Sequence, residues 1–218
     1  MRNLVIFGDT PFAERLFKYI KLEGKDKVIA FTQEKSFISK VELQGCPVIP
    51  FEELATIDTD FEIILGIGYS KMNQLKRKVY NLCVNNGYKV ATYISSKAVV
   101  YTEDIRDGCF IAPGAIVGPG CKLGHGNFLE SAVVLSHDIE LGDFNYLSTN
   151  AVFGGFAKVE NNCFFGLHST IKNSISVASD TLVGAAANVL ESVTYRGGIF
   201  VGNPARKLED KDSRITEI

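Results

Sequence analysis

From Val99 to Val189 a bulky apolar residue returns at every sixth position, without a break over fifteen intervals. A period of six fits neither a helix nor a long strand, which repeat at about 3.6 and 2 residues. It indicates a repeat architecture, in which each six residues form one short flat face and one corner. The pattern is typical of a parallel β-helix with a triangular cross-section. The repeating positions are Val99, Ile105, Ile111, Val117, Leu123, Leu129, Leu135, Leu141, Leu147, Phe153, Val159, Phe165, Ile171, Val177, Val183 and Val189.

The repeat also predicts which residues lie above one another. Fifteen intervals divided by three faces give five coils, so residues eighteen apart should stack directly. Four places after the large residue stands a mostly small one, expected inside the prism beside it. These small residues are Cys109, Ala115, Cys121, Ala151, Ala157, Cys163, Ser169 and Ala187.

Residues 1–95 follow a different pattern, in which short apolar runs alternate with segments of helical periodicity. This alternation predicts a small parallel sheet, a Rossmann-like α/β domain, before a β-helix domain over residues 96–218. Thr10 and Pro11 form a good N-cap and first helical residue. The predicted strands are Leu4–Phe7, Lys27–Phe31, Phe61–Leu65 and Val90–Ile94; the predicted helices begin at Pro11 and Lys71, and an extended connection covers Gly45–Pro50.

Ligands of such sheets bind outside the carboxyl ends of the strands, where helix N-termini offer free N–H groups to phosphates. The absence of a GxGxxG motif argues against a dinucleotide and favours a sugar-linked nucleoside diphosphate. The alternative is that Gly8 and Gly68 only form ordinary turns. The candidate residues are Gly8, Asp9 and Thr10, then Thr32 and Lys35, then Gly68, Tyr69 and Ser70.

Composition narrows the class of protein. The net charge of −2 gives no electrostatic reason to expect nucleic acid or an acidic membrane as partner. No segment approaches the ~20 apolar residues of a membrane span, and the N-terminal apolar run is too short for a signal peptide. We therefore expect a soluble, cytoplasmic protein. Its five cysteines lack CxxC spacing, and we expect them to be reduced and structural.

Candidate chemistry centres on His137 and Asp138, which follow the apolar marker Leu135 at an expected corner. A neutral imidazole can accept a proton from an attacking amine or hydroxyl, and a carboxylate can hold its other N–H. Eighteen residues later stands Gly155, whose missing side chain would let a thioester approach and whose N–H could polarise the carbonyl. The alternative is a solvated surface pair and a tight corner.

The other two histidines give weaker signals. His125 lies twelve residues from His137, on another face, and is interpreted as a surface or subunit-contact residue. His168 is placed either in a cofactor groove or at a corner. A γ-type carbonic anhydrase shares the prism but needs three histidines around zinc, which these spacings disfavour. No metal is expected.

The chain as a whole resembles the hexapeptide-repeat acyltransferases that join a Rossmann-like domain to a left-handed β-helix. These are the N-acetyltransferases of bacillosamine-type amino sugars and the sialic-acid O-acetyltransferases. The resemblance rests on Ser136–Asp143, Gly154–Gly155, Asn162–Gly166 and Val201–Arg206. It implies a left-handed prism, acetyl-CoA in a groove between subunits of a homotrimer, and a nucleotide-linked amino sugar as acceptor in surface-glycan synthesis.

Carried onto this chain, the resemblance makes His137 the base and Asp138 its support, with Gly155, Leu167 and Ala185 contacting acetyl-CoA. Glu130 stands where relatives often carry an asparagine near the sugar, and would pair with an ammonium group or accept a hydrogen bond from a hydroxyl. The expected activity is N-acetylation. Alternatives are O-acetylation of a sugar or sialic acid, and a non-catalytic scaffold that binds nucleotide sugars.

Overall fold

The structure is a computed structural model that describes residues 1–216 of the chain. The chain divides into two compact units, each described by itself below. The first unit comprises Met1–Gly68 and Lys78–Thr92, and the second comprises Tyr69–Arg77 and Tyr93–Ile218. The segment Tyr69–Arg77 thus belongs to the second unit, although it precedes residue 95. No helix within residues 1–216 is long and apolar enough to cross a membrane.

The first unit is built on a five-stranded sheet. Its strands are β1 (Asn3–Phe7), β2 (Lys27–Gln33), β3 (Glu42–Leu43), β4 (Cys46–Pro50) and β5 (Glu62–Leu65), in the spatial order β3-β4-β2-β1-β5. Only the β3-β4 pair is antiparallel. The segment predicted as an extended connection at Gly45–Pro50 is therefore largely a strand, β4. Pro47 lies opposite the short edge strand β3, and Pro50 is the last residue of β4.

Helix α1 (Pro11–Glu23) begins where its cap predicts. The Thr10 hydroxyl accepts a hydrogen bond from the Ala13 N–H at 3.3 Å, and Gly24 ends the helix in the left-handed conformation. Its apolar face, which includes Leu16 and Ile20, is buried. Two short 3-10 helices, Lys35–Phe37 and Phe51–Thr56, follow β2 and β4.

The second predicted helix starts later than expected. Helix α2 runs from Gln74 to Asn85 instead of from Lys71, because Lys71, Met72 and Asn73 adopt left-handed φ angles of 43°, 50° and 57°. Tertiary contacts stabilise this turn: Met72 is 1% exposed, and the Asn73 side chain donates to the Phe144 carbonyl at 2.7 Å. Helical propensity alone carried no sign of these contacts.

The predicted strand Val90–Ile94 is also wrong as a single element. Val90 forms one isolated parallel bridge with Ile63 in the first unit. Only Tyr93–Ile94 is a strand, and it pairs with Phe110–Ile111 in the second unit.

The second unit is a parallel β-helix with three faces. The first face contains Tyr93–Ile94, Phe110–Ile111, Phe128–Leu129, Tyr146–Leu147, Phe164–Phe165, Leu182–Val183, Ile199–Val201 and the antiparallel Arg206–Lys207. The second face contains Val99–Val100, Ile116–Val117, Val134–Leu135, Val152–Phe153, Thr170–Ile171 and Asn188–Val189. The third face contains Lys122–Leu123, Glu140–Leu141, Lys158–Val159 and Ser176–Val177.

The stacking period of eighteen is confirmed through the body of the β-helix, where Leu123 pairs with Leu141 and Leu135 with Phe153. At the start the period is shorter. Val99 pairs with Ile116, one position earlier than predicted, and is 43% exposed, so its assignment to the core is wrong. Val100 takes that position, since an interval of five to Ile105 aligns it with Val117.

All five cysteines are free, and four of them, including those at the small interior positions of the β-helix, are buried. Burial raises the pKa of the Cys109 and Cys163 thiols to about 12, which keeps them protonated and unreactive. They therefore act as small apolar side chains.

Candidate active site

His137 and Asp138 lie at a corner between the second and third faces, directly after Val134–Leu135. Asp138 adopts a left-handed φ of 54°, which an aspartate tolerates better than most residues. The His137 Nδ1 lies 2.9 Å from Asp138 Oδ2. Both side chains are about half exposed, at 49% and 50%. The pair is thus accessible to a substrate from solvent.

Glycines above and below make room for this pair. A Cβ on Gly120 would lie 2.3 Å from Asp138 Oδ1, and a Cβ on Gly155 would lie 2.6 Å from both Nε2 and Cε1 of His137. The imidazole edge that carries Nε2 therefore faces the bare Cα of Gly155, as the eighteen-residue stacking predicts. We call residues 136–138 together with 155 and 156 the His137 corner.

The backbone of Gly155 also offers a hydrogen-bond donor. Its carbonyl accepts from the Ser174 N–H at 2.9 Å, whereas its own N–H has no acceptor within residues 1–216. A donor beside the imidazole is the arrangement that stabilises an oxyanion formed next to a general base. If Asp138 accepts a hydrogen bond from Nδ1–H, Nε2 carries the lone pair that a base needs.

Phe156 completes the His137 corner. It adopts a left-handed φ of 60°, its side chain is 54% exposed, and its ring meets the His137 ring edge to face, with centroids 5.0 Å apart and an interplanar angle of 89°. Sequence reasoning assigned it no role, although it directly follows Gly155.

The three histidines occupy three different corners. His125 lies after Lys122–Leu123, where its ring contacts Asp107 and its backbone N–H donates to Asp143 Oδ1 at 2.7 Å. His168 lies after Phe164–Phe165, with Nδ1 2.8 Å from the Asn150 side-chain amide. No group of three or more His, Cys, Asp or Glu side chains within residues 1–216 could hold a metal ion.

The residues predicted to contact acetyl-CoA do not share one corner. Gly155 follows Val152–Phe153 on the second face, whereas Leu167 and Ala185 follow strands of the first face. Leu167 is 54% exposed and Ala185 is also exposed. One copy of the chain therefore does not gather these three residues into a groove.

Glu130 follows Phe128–Leu129 on the first face and is only 7% exposed. Its Oε1 accepts a hydrogen bond from the Tyr146 hydroxyl at 3.1 Å. A substrate hydroxyl or amine that reached Glu130 would share the carboxylate with Tyr146.

The outward side chains of the first face form an aromatic ladder, which we call the aromatic face. Its rings are Phe110, Phe128, Tyr146 and Phe164, with successive centroids 4.5, 4.7 and 5.5 Å apart. Tyr69, predicted to bind substrate, packs on this face: its ring centroid lies 4.4 Å from that of Phe164 and its hydroxyl donates to Met72 Sδ at 3.0 Å. Burial raises the pKa of Tyr69 to about 12. Ser70, beside it, is half-buried.

Sequence reasoning also missed Lys76, which is 2% exposed. Its Nζ lies 4.2 Å from the centroid of the Phe128 ring, a cation–π contact. Burial lowers the pKa of Lys76 to about 7, while the nearby Glu130 carboxylate opposes that shift. A lysine in a basic helix is normally solvent-exposed, so the sequence held no signal for this position.

In the first unit, Gly8, Asp9 and Thr10 follow β1 as predicted, whereas Thr32 lies inside β2, which extends to Gln33 instead of ending at Phe31. Asp9 accepts hydrogen bonds from Gln33 Nε2 at 2.6 Å and from the Ser39 hydroxyl at 3.5 Å. The hydroxyl of Thr32 is buried without a hydrogen-bond partner among residues 1–216. Lys35 pairs with Glu53 at 3.0 Å, which raises the pKa of its ammonium group.

Two other residues of that unit that were predicted to bind the ligand, Thr10 and Gly8, have structural roles. Thr10 caps α1 and donates to the Gly66 carbonyl at 3.0 Å, so both capacities of its hydroxyl are used. Gly8 adopts a φ of +122°, and a Cβ there would lie 2.8 Å from the Gly66 carbonyl oxygen. Gly8 is thus required by the backbone itself. Gly68 is less constrained, because a Cβ there would meet only Phe12 Cβ, at 3.6 Å.

Solved structures share this fold, although no family model matches the chain. The acetyltransferase domain of PglB from Neisseria gonorrhoeae aligns with a TM-score of 0.82 at 22% identity, covering 95% of this chain and 100% of that one. A mutant of perosamine N-acetyltransferase from Caulobacter crescentus, in complex with CoA and GDP-perosamine, aligns at 0.83 and 19% identity over 96% and 98%. WeeI from Acinetobacter baumannii aligns at 0.81 and 20% identity over 95% and 100%. The predicted fold class, a Rossmann-like α/β unit followed by a left-handed parallel β-helix, is confirmed.

Proposed function

We propose that this protein is an acetyl-CoA-dependent N-acetyltransferase that acts on the amino group of a nucleotide-linked sugar. The observation that carries the proposal is the His137 corner: a histidine oriented by a carboxylate, with its Nε2 edge against the Cα of a glycine whose N–H lacks an acceptor within residues 1–216. The shared fold with a perosamine N-acetyltransferase in complex with CoA and GDP-perosamine supports this class of substrates.

In the proposed reaction the sugar amine attacks the thioester carbonyl while His137 Nε2 accepts a proton from the amine. Asp138, on Nδ1, stabilises the imidazolium that forms. The Gly155 N–H donates to the oxyanion of the tetrahedral intermediate. The carbon–sulfur bond then breaks, the imidazolium returns the proton to the CoA thiolate, and the amide product is released with neutral His137.

The same proposal assigns the first unit to the nucleotide. Asp9, Gln33 and the unpartnered Thr32 hydroxyl lie at the carboxyl ends of β1 and β2, where α/β sheets bind such ligands. Two copies would be needed to bring Leu167 and Ala185 opposite Gly155, in line with a homotrimer whose sites lie between subunits. We further propose a cytoplasmic enzyme of surface-polysaccharide synthesis, consistent with its free cysteines.

The test is a thiol-release assay with acetyl-CoA against a panel of GDP-, UDP- and dTDP-linked amino sugars, each paired with its hydroxy counterpart. We expect stoichiometric thiol release and an acetamido product with at least one amino sugar. Equal turnover of the hydroxy counterpart would identify an O-acetyltransferase. Nucleotide-sugar binding without thiol release would leave a non-catalytic scaffold and contradict the proposal.

A further inference from the structure

Phe156 is an unusual residue for its position. Corners of this β-helix require a left-handed residue, and at most such positions, including Asn150, Asn162 and Ser174, a small or polar side chain provides it. Asparagine adopts this conformation readily, whereas a bulky aromatic residue there is strained. Phe156 adds to that strain the exposure of 54% of its side chain to water. The fold alone gives no reason for phenylalanine at this corner.

Phe144 is the other phenylalanine with a left-handed backbone, and it differs from Phe156 in burial. Phe144, at a φ of 55°, is 5% exposed, so its burial compensates for its conformation. Phe156 has no such burial. Its aromatic partner is the ring of His137, met edge to face at a centroid distance of 5.0 Å.

His137 needs such a contact. Its side chain is 49% exposed, and its polar partner Asp138 is equally exposed, so water competes for their hydrogen bond. Gly155 faces the ring edge that carries Nε2 with a bare Cα, and elsewhere the half-exposed imidazole has a side open to solvent. With one solvent-exposed hydrogen bond and an open side, the imidazole would sample several rotamers.

We propose that Phe156 is a positioning residue for His137: its ring closes the open side of the imidazole and holds Nε2 against Gly155, where the thioester carbonyl is expected. This inference rests on the proposed function. The exposed Phe156 ring would also exclude water from the reacting acyl group, because it is an apolar surface beside the base.

The decisive variant is Phe156→Asn, because asparagine suits the left-handed backbone and the protein should fold at least as well as the wild type. An edge-to-face aromatic contact changes a rotamer population by about three- to tenfold. We therefore expect kcat to fall by about three- to tenfold, with the KM for acetyl-CoA within about twofold of wild type. Phe156→Tyr, which keeps the aromatic ring, should have the kcat of the wild type. Leu190→Ala, at an exposed apolar residue three coils along the β-helix from His137, serves as the control.

A second readout does not depend on activity. Long-range ¹H–¹⁵N NMR reports which nitrogen of the neutral His137 ring carries the proton, with assignment by His137→Gln. The wild type should show one dominant tautomer, protonated at Nδ1, and Phe156→Asn should show ¹⁵N shifts averaged toward a tautomer mixture.

The outcomes separate this inference from the proposed function. Wild-type kcat in Phe156→Asn overturns the positioning role even if the NMR spectrum changes, as does loss of activity that Phe156→Tyr fails to restore. If the wild type shows no transferase activity at all, the proposed function fails, and the NMR alone decides. Averaged tautomers in Phe156→Asn then support the positioning role, and an unchanged tautomer overturns it.

Discussion

The His137 corner and the aromatic face are built from the same six-residue repeat, yet their outward side chains differ in solvent exposure. On the aromatic face, rings cover one another and Lys76 is buried against Phe128. At the His137 corner, the histidine, the aspartate and Phe156 remain about half exposed. The first arrangement stabilises the fold, and the second leaves reactive atoms within reach of a substrate. Exposure, more than residue type, separates the two uses of the repeat.

If the comparison is correct, the largest loss of activity comes from His137→Ala. Removing a general base typically slows turnover by about 10² to 10⁴-fold. The side chain is half exposed, so the thermal unfolding midpoint should not change. Thiol release under saturating substrates measures the effect, with His125→Ala, at a different corner, as the matched control. Wild-type turnover in His137→Ala would contradict the role of His137 as general base.

Alanine substitutions at the neighbouring glycines Gly154 and Gly155 should have different effects on stability and activity. The three atoms nearest to a Cβ on Gly155 belong to the His137 ring, which can rotate away. Gly155→Ala should therefore fold normally and lose about 10²-fold in kcat through misplacement of the base. A Cβ on Gly154 would lie 2.5 Å from the Asn173 backbone nitrogen, which cannot move aside. Gly154→Ala should therefore lower the unfolding midpoint. Equal stability losses in both variants would contradict the assignment of Gly155.

Asp138→Asn tests the orientation of the base. Asparagine keeps the left-handed backbone, but its neutral amide oxygen accepts a weaker hydrogen bond from Nδ1–H than the carboxylate does. Because the pair is half exposed, we expect a loss in kcat of about tenfold, smaller than in buried triads. The measurement is kcat at saturating acetyl-CoA. A full loss of folding cooperativity, seen by circular dichroism, would argue instead for a structural aspartate.

The smallest effect is expected on the aromatic face. The folded-state pKa of Lys76 is lowered to about 7, so between pH 7 and about 10 the unfolded chain binds more protons than the folded one. The free energy of unfolding should therefore rise with pH over this range, by roughly 1 to 3 kcal/mol. Lys76→Met should remove this rise and leave activity unchanged.

Denaturant titrations at several pH values measure the free energy of unfolding, with Lys122→Met on the third face as control. A pH dependence identical in Lys76→Met and wild type would contradict the lowered pKa of Lys76.

Most of the β-helix could be read from the chain because its period is local. Leu123, Leu135 and Leu147 predict three faces, and their spacing alone stacks Gly155 on His137. The period of eighteen fails at both ends of the β-helix: Val100 replaces Val99 at the start, and Leu182 pairs with Ile199, seventeen residues later, at the end. The roles assigned to His137, Asp138 and Gly155 remain predictions that the variants above test.

Contacts between segments that are distant in the sequence became visible only in the folded chain. The left-handed turn before Gln74 forms because Asn73 reaches the Phe144 carbonyl, a contact between residues 71 positions apart. The burial of Lys76 and Tyr69 on the aromatic face has the same origin. Local propensity describes a residue and its near neighbours, and a repeat extends that description along its own axis. Neither describes which outward face another segment will cover, since that depends on free energies of burial that arise only after the chain has folded.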